Sequence, residues 1–202
     1  DIDTTTAVND GVPHHISLTH DGAGNYKLYV DGVLEASPAT TPVPDITGST
    51  LTLGSPDGAT PFEGSVGDFR IYSDERTAAE VEADATGGLS GDNLQIHYDF
   101  DPANVTGGHV ANQGALGSGA DALLGNDVQT SQGMRFDGVD DKLVAADPLL
   151  ALGTGAYTIE TIISTTSSTQ SMFMSLGDSW GTGTGINFNF LANGTIDVGP
   201  AN

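Results

Sequence analysis

A chain of 202 residues with 27 acidic and 5 basic side chains carries a formal charge of −22. That balance excludes a nucleic-acid partner, because phosphate binding needs clustered Lys and Arg. The chain has no Cys, which removes the disulfide-stapled small scaffolds. It also has no apolar run near the ~20 residues that cross a bilayer, so no membrane insertion is expected.

The length suits one sandwich-sized domain or two small ones. With 28 Gly and 37% hydrophobic residues, short strands and many turns fit better than helices. In chain order, apolar residues alternate with period two at Ile16–Leu18, Leu28–Val30, Leu51–Leu53, Val66–Tyr72, Leu94–Phe100, Met134–Phe136, Tyr157–Ile163, Met172–Leu176, Ile186–Phe190 and Ile196–Val198. Gly, Asp, Asn or Pro bounds each run, so each reads as a strand closed by turns. One stretch, Thr77–Ala85, reads as a helix: Thr77 stands as N-cap with Glu80 three residues on, a capping box. The Gly-rich segment 86–93 that follows it is the expected linker. The fold class is therefore all-β, two packed antiparallel sheets with one short helix.

The segments on either side of the linker bear a resemblance that runs in an unexpected order. "HHISLTHDGAGNYKLYVDGVLEA", "LTLGSP" and "FEGSVGDFRIYSDERTAAEVEA" resemble the closing half of a laminin G-like, concanavalin A-like jelly roll. "LQIHYDFD", "GMRFDGVDDKLVA", "YTIETIIS" and "SMFMSLGDS" resemble its opening half, the second of them its early hairpin. Residues 1–85 are thus expected to be the closing half and 94–202 the opening half. Together they make one complete domain or halves of two neighbours. The expected source is one period of a tandem array.

Glycoside hydrolases share this fold and need two carboxylates facing one cleft. The resemblance implies a Glu-x-Asp-x-Glu strand for that task, and none is present. "EVEAD" has the wrong spacing and lies in the helix, and Glu160 stands alone, so the chain reads as a non-enzyme. His14 and His15, adjacent at a strand start, are expected to point to opposite faces, one buried and one solvated.

Metal binding is the stronger reading. Of the 27 acidic residues 21 are Asp, the short carboxylate that suits the oxygen shell of calcium. Asp99 and Asp101 in "DFDP", Asp137, Asp140 and Asp141 in "FDGVDD", and Asp68 in "GDFR" form the clusters. The expected calcium ligands are Asp68, Asp99, Asp137 and Asp140. Asp137-Gly138 and Asp31-Gly32 are equally read as hairpin turns needing no ion. The acidity itself fits a halophilic source and a calcium-loaded surface alike, with plain solvation explaining many of the carboxylates.

For a ligand, the only Trp sits among Gly and polar residues. Trp180 is the candidate stacking platform, or else a piece of local core, with Asp178 and Asn187 placed to orient a hydroxyl. Three function classes remain. The first is an extracellular adhesion or glycan-binding module of a repetitive surface protein. The second is a structural repeat or filament subunit, and the third an accessory domain of a secreted hydrolase. The expected partners are neighbouring repeats, glycans or cell-surface proteins. For such a location an export signal is expected outside this segment, since "DIDTTTAVND" has neither a basic nor an apolar part.

Overall fold

A computed structural model describes residues 2–37, 45–46, 50–55, 58–87, 91–125, 133–145, 152–177 and 185–200. The first strands are β1 (Ile2–Asp3), β2 (His14–Asp21), β3 (Tyr26–Val30), β4 (Val33–Ala36), β5 (Leu51–Leu53) and β6 (Glu63–Tyr72). Helix α1 (Ala78–Ala85) follows. After it come β7 (Leu94–Tyr98), β8 (Val105–Thr106), β9 (His109–Val110), β10 (Ala122–Gly125), β11 (Met134–Asp137), β12 (Lys142–Ala145), β13 (Ala156–Ser164), β14 (Ser171–Leu176), β15 (Ile186–Phe190) and β16 (Ile196–Pro200). Every alternating run of the sequence falls on a strand. The run from Leu94 stops at Tyr98 because Phe100 turns to φ 53°, which extended backbone does not tolerate.

The strands form two antiparallel sheets. One holds nine in the order β1-β16-β15-β14-β5-β12-β10-β9-β8. The other holds seven, β11-β6-β13-β2-β3-β4 with β7 also on β6. Strands from both sides of the linker interleave. β13 lies between β2 and β6, β5 lies between β12 and β14, and Ile2 stands opposite Val198. Asp1 and Asn202 lie outside the described residues.

Alternation explains the core. Ile16, Leu18, Phe69, Ile71, Ile159 and Ile163 face inward from the seven-stranded sheet. Leu53, Leu143, Phe173, Leu176 and Phe188 meet them from the nine-stranded one. Phe62, Phe173 and Phe188 pack in series at tilted and edge-on angles, with centroid distances of 5.8 and 5.6 Å. Turn chemistry follows the sequence. Asp31 and Gly32 both take positive φ between β3 and β4, the backbone of a two-residue hairpin. Thr77 and Glu80 form the expected capping box.

Residues 133–145 depart from the expected hairpin. Among the described residues β11 pairs only with β6, and β12 pairs with β10 and β5, so the acidic turn carries the chain from one sheet to the other. The reason is that Met134 and Phe136 enter the core from one side and Leu143 and Ala145 from the other. Gly54 permits the crossing: at φ 94° it lies against the Phe136 ring and the Asp141 carbonyl, where a Cβ would overlap both.

His14 and His15 are both buried, against the expectation of one buried and one solvated. His14 is the end residue of β2 and is enclosed by its own partners: Nδ1 lies 2.8 Å from Asp31 and Nε2 lies 3.2 Å from Asp10. Burial alone would lower its pKa, but the two carboxylates outweigh burial and raise it. A histidine raised in the folded state adds stability below its unfolded pKa of about 6.5, and that stability is lost as pH rises through the folded value. Unfolding free energy should therefore fall as pH climbs above about 6.5. His14→Gln should flatten that slope in urea melts taken between pH 6 and 9. An unchanged slope would mean that the histidine is not charged in the fold.

Candidate functional site

The acidic turn is built by strand ends. β11 delivers Asp137 at its last position, Gly138 at φ 79° reverses the chain, and Asp141 precedes β12. The turn is held by its own carboxylates. Asp137 Oδ1 accepts from the Val139 N–H at 2.8 Å, and Asp141 Oδ2 accepts from the Asp137 N–H at 3.0 Å. Ligand oxygens of Asp137, Asp140 and Asp141 lie within 4.8 Å of one another, Asp141 buried and the other two exposed. Three converging carboxylates with no nitrogen or sulfur among them suit a hard divalent cation such as calcium, which takes oxygen ligands. Three like charges this close also repel one another, which a cation relieves.

Asp68 and Asp99 stand elsewhere. The register Phe69↔Tyr98 makes their strands neighbours. Each nonetheless has its own protein partners. Asp68 takes Arg70 Nη2 at 2.7 Å and lies 3.2 Å from His97 Nε2. Asp99 accepts from the Asp101 N–H at 3.0 Å and the Asn104 side chain at 2.8 Å. Trp180 and Asp178 lie outside the described residues. Asn187 sits on β15 opposite Ser175, and its buried Oδ1 has no hydrogen-bond partner among the described residues.

Glu160 is not alone, contrary to its appearance in the sequence. The register sets Ser17, Glu160, Arg70 and His97 in one row across β2, β13, β6 and β7, on the face away from the core. Ser17 donates to Glu160 at 3.2 Å. Arg70 Nη1 lies 3.9 Å from both Glu160 and Asp84, the latter brought in by α1. Arg76 binds Asp84 through Nε at 3.0 Å and stacks 4.4 Å over the Tyr72 ring. Burial, then Glu160, raise the Asp84 carboxyl despite both arginines. Burial and the same carboxylates push Tyr72 up to about 12. Glu160 and Asp84 are 1% and 2% exposed, so these carboxylates are sealed beneath the helix and neutralised by guanidinium groups. Such an arrangement holds a helix to a sheet.

Residues 1–82 match the family model described as the concanavalin A-like lectin/glucanases superfamily. No curated protein matches the chain. The two-sheet antiparallel sandwich with one short helix is consistent with a concanavalin A-like fold, and among the described residues no helix is long and apolar enough to cross a membrane.

Proposed function

We propose that this concanavalin A-like sandwich is a non-catalytic extracellular adhesion module that binds a glycan or a surface protein, with calcium held at the acidic turn. The observation that carries the reading is the Asp137–Asp140–Asp141 turn on a lectin-type sandwich. The turn sits where the chain passes between sheets, so an ion there ties them together. In this reading residues 1–85 and 94–202 are the closing and opening halves of one domain, and 86–93 bridges them. The position of β13 between β2 and β6 supports that assignment. The module is one period of a tandem array, and its neighbours are copies of itself.

Calcium should raise the melting temperature, because an ion bound only to the native state adds RT ln(1 + [L]/Kd), about 2.7 kcal/mol at a hundredfold excess over Kd. At roughly 2–4 °C per kcal/mol for a chain of this size, the shift is several degrees. The check is thermal melting in excess EDTA against millimolar calcium at constant ionic strength. Asp140→Asn should abolish the difference, and superimposed curves for the unaltered protein would remove calcium from the reading. Binding to an array of glycans and cell-surface proteins, with and without calcium, tests the module itself.

A second reading, a filament subunit, is favoured by one feature. Among the described residues β4 ends its sheet and exposes Val33 and Leu34 at 63% and 50%, and an apolar edge can pair with another chain. Concentration-dependent polymers in light scattering would support it.

A further inference from the structure

Helix α1 covers only one end of the outer face of the seven-stranded sheet. Beyond Ile162, among the described residues, that face is accessible, with Ser65 and Ser164 half-buried and Arg135 and Asp137 exposed. There Glu63, Ser65, Arg135, Asp137, Ser164 and Thr166 line a groove of about 250 Å³, near the low end of small-ligand clefts. Its floor is set by strand pairing. Ser65 on β6 stands between Arg135 on β11 and Ser164 on β13, and Glu63 stands beside Asp137. Its wall is tied down by the loop before β2: the Gly11 N–H donates to the Thr165 carbonyl at 3.0 Å, and Ser164 Oγ donates to the Gly11 carbonyl at 3.1 Å. Thr165 Oγ1 donates to the Glu63 carbonyl at 2.6 Å. A site whose backbone is held this way meets a ligand without first being ordered.

The side chains say what the ligand must offer. Of the five cations, Lys27, Arg70 and Arg76 are engaged in ion pairs. Among the described residues Arg135 has no carboxylate within ion-pair reach, although Glu63 and Asp137 line the same groove. Its planar fork of donors is thus presented beside two carboxylate acceptors and two hydroxyls, Ser164 and Thr166. A ring bearing several hydroxyls can give to the carboxylates and accept from the guanidinium at once. Phe136 lines the groove but is 1% exposed, so recognition proceeds by hydrogen bonds and not by stacking. The chain's charge of −22 repels an anionic ligand.

We propose that this groove binds one sugar residue of a neutral, hydroxyl-rich glycan, with Arg135 as the central donor. The proposal rests on the binding-module reading and goes further in fixing the site and the ligand class. The test is a titration of the ¹⁵N-labelled chain with maltotriose, cellotriose, mannotriose and galactotriose, and with trigalacturonate as the anionic comparison. At least one neutral trisaccharide should shift the amides of Gly11, Ser65, Arg135 and Ser164. Arg135→Ala should weaken its binding tenfold or more and Ser164→Ala by less, whereas Lys142→Ala should leave it unchanged. Both groove side chains lie outside the core, and an unaltered melting curve verifies that each variant folds. Shifts confined to other residues, or an affinity indifferent to Arg135→Ala, would overturn the groove and leave the module reading standing. Preference for trigalacturonate would overturn the neutral class. Silence toward all five sugars would overturn the proposal, and the module reading would then stand or fall on the array.

Discussion

Arg76→Ala is expected to cost about 3–5 kcal/mol at pH 7, the range seen when one partner of a buried ion pair is removed. Arg76 is 2% exposed and Asp84 equally so. Truncation takes away the hydrogen bonds to Asp84 and the stacking on Tyr72. What remains is a carboxylate inside the protein, near Glu160, with Arg70 at 3.9 Å as the nearest compensation. Burial and Glu160 already raise Asp84, and loss of the arginine pushes it higher. A carboxyl raised in the fold stabilises at low pH, where it is protonated in both states, and loses that contribution as pH rises through its folded value. The cost of Arg76→Ala should therefore shrink when urea melts are repeated near pH 4.5. Arg76→Met combined with Asp84→Leu should recover most of the loss, since a well-packed apolar pair often replaces a buried ion pair without penalty. A loss below about 1 kcal/mol, or one indifferent to pH, would show that the pair does not clamp the helix.

This buried layer also marks the limit of what the sequence discloses. Strand alternation is a local property, so the inward faces of β2, β3, β13 and β15 could be read directly, as could the cap at Thr77 and the turn at Asp31-Gly32. The partners of Glu160 could not. Ser17, Arg70 and Asp84 are each far from it in the chain, and only the register of three strands and the docking of α1 bring them together. Nothing local says that Arg76 folds back onto Asp84. The same limit applies to the turn after β11. "FDGVDD" has hairpin chemistry, and whether its arms pair or separate into different sheets depends on which distant strands compete for them: β6 for one, β5 and β10 for the other. The single legible hint of the groove was Arg135 itself, an isolated cation on the outward parity of a strand among carboxylates. His14 failed the alternation rule because it ends its strand, where a loop and a turn enclose it.

Phe173→Ala should lower stability by about 3–5 kcal/mol, the usual cost of emptying a buried Phe site, and its effect should reach beyond its own half of the chain. The ring is 1% exposed and packs on Phe62 from residues 1–85 and Phe188 from residues 94–202. If both halves share one core, they unfold together, and a perturbation on either side lowers the protection of all the slowest-exchanging amides by the same amount. The expected observation by native-state hydrogen exchange is an equal loss for Leu18 and Leu28, in β2 and β3, and for Phe188 in β15. β2 pairs with the second half through β13, which lies beside it along its whole length from Ala156↔Asp21 to Ile163↔His14. Such a long ladder is why the two segments are expected to act as one unit although the helix and a Gly-rich stretch separate them in the chain. Were β2 and β3 to keep their protection while β14 and β15 lost theirs, the halves would be separate cooperative units, each able to pair with a neighbouring copy, and the filament reading would gain what the single-domain reading lost.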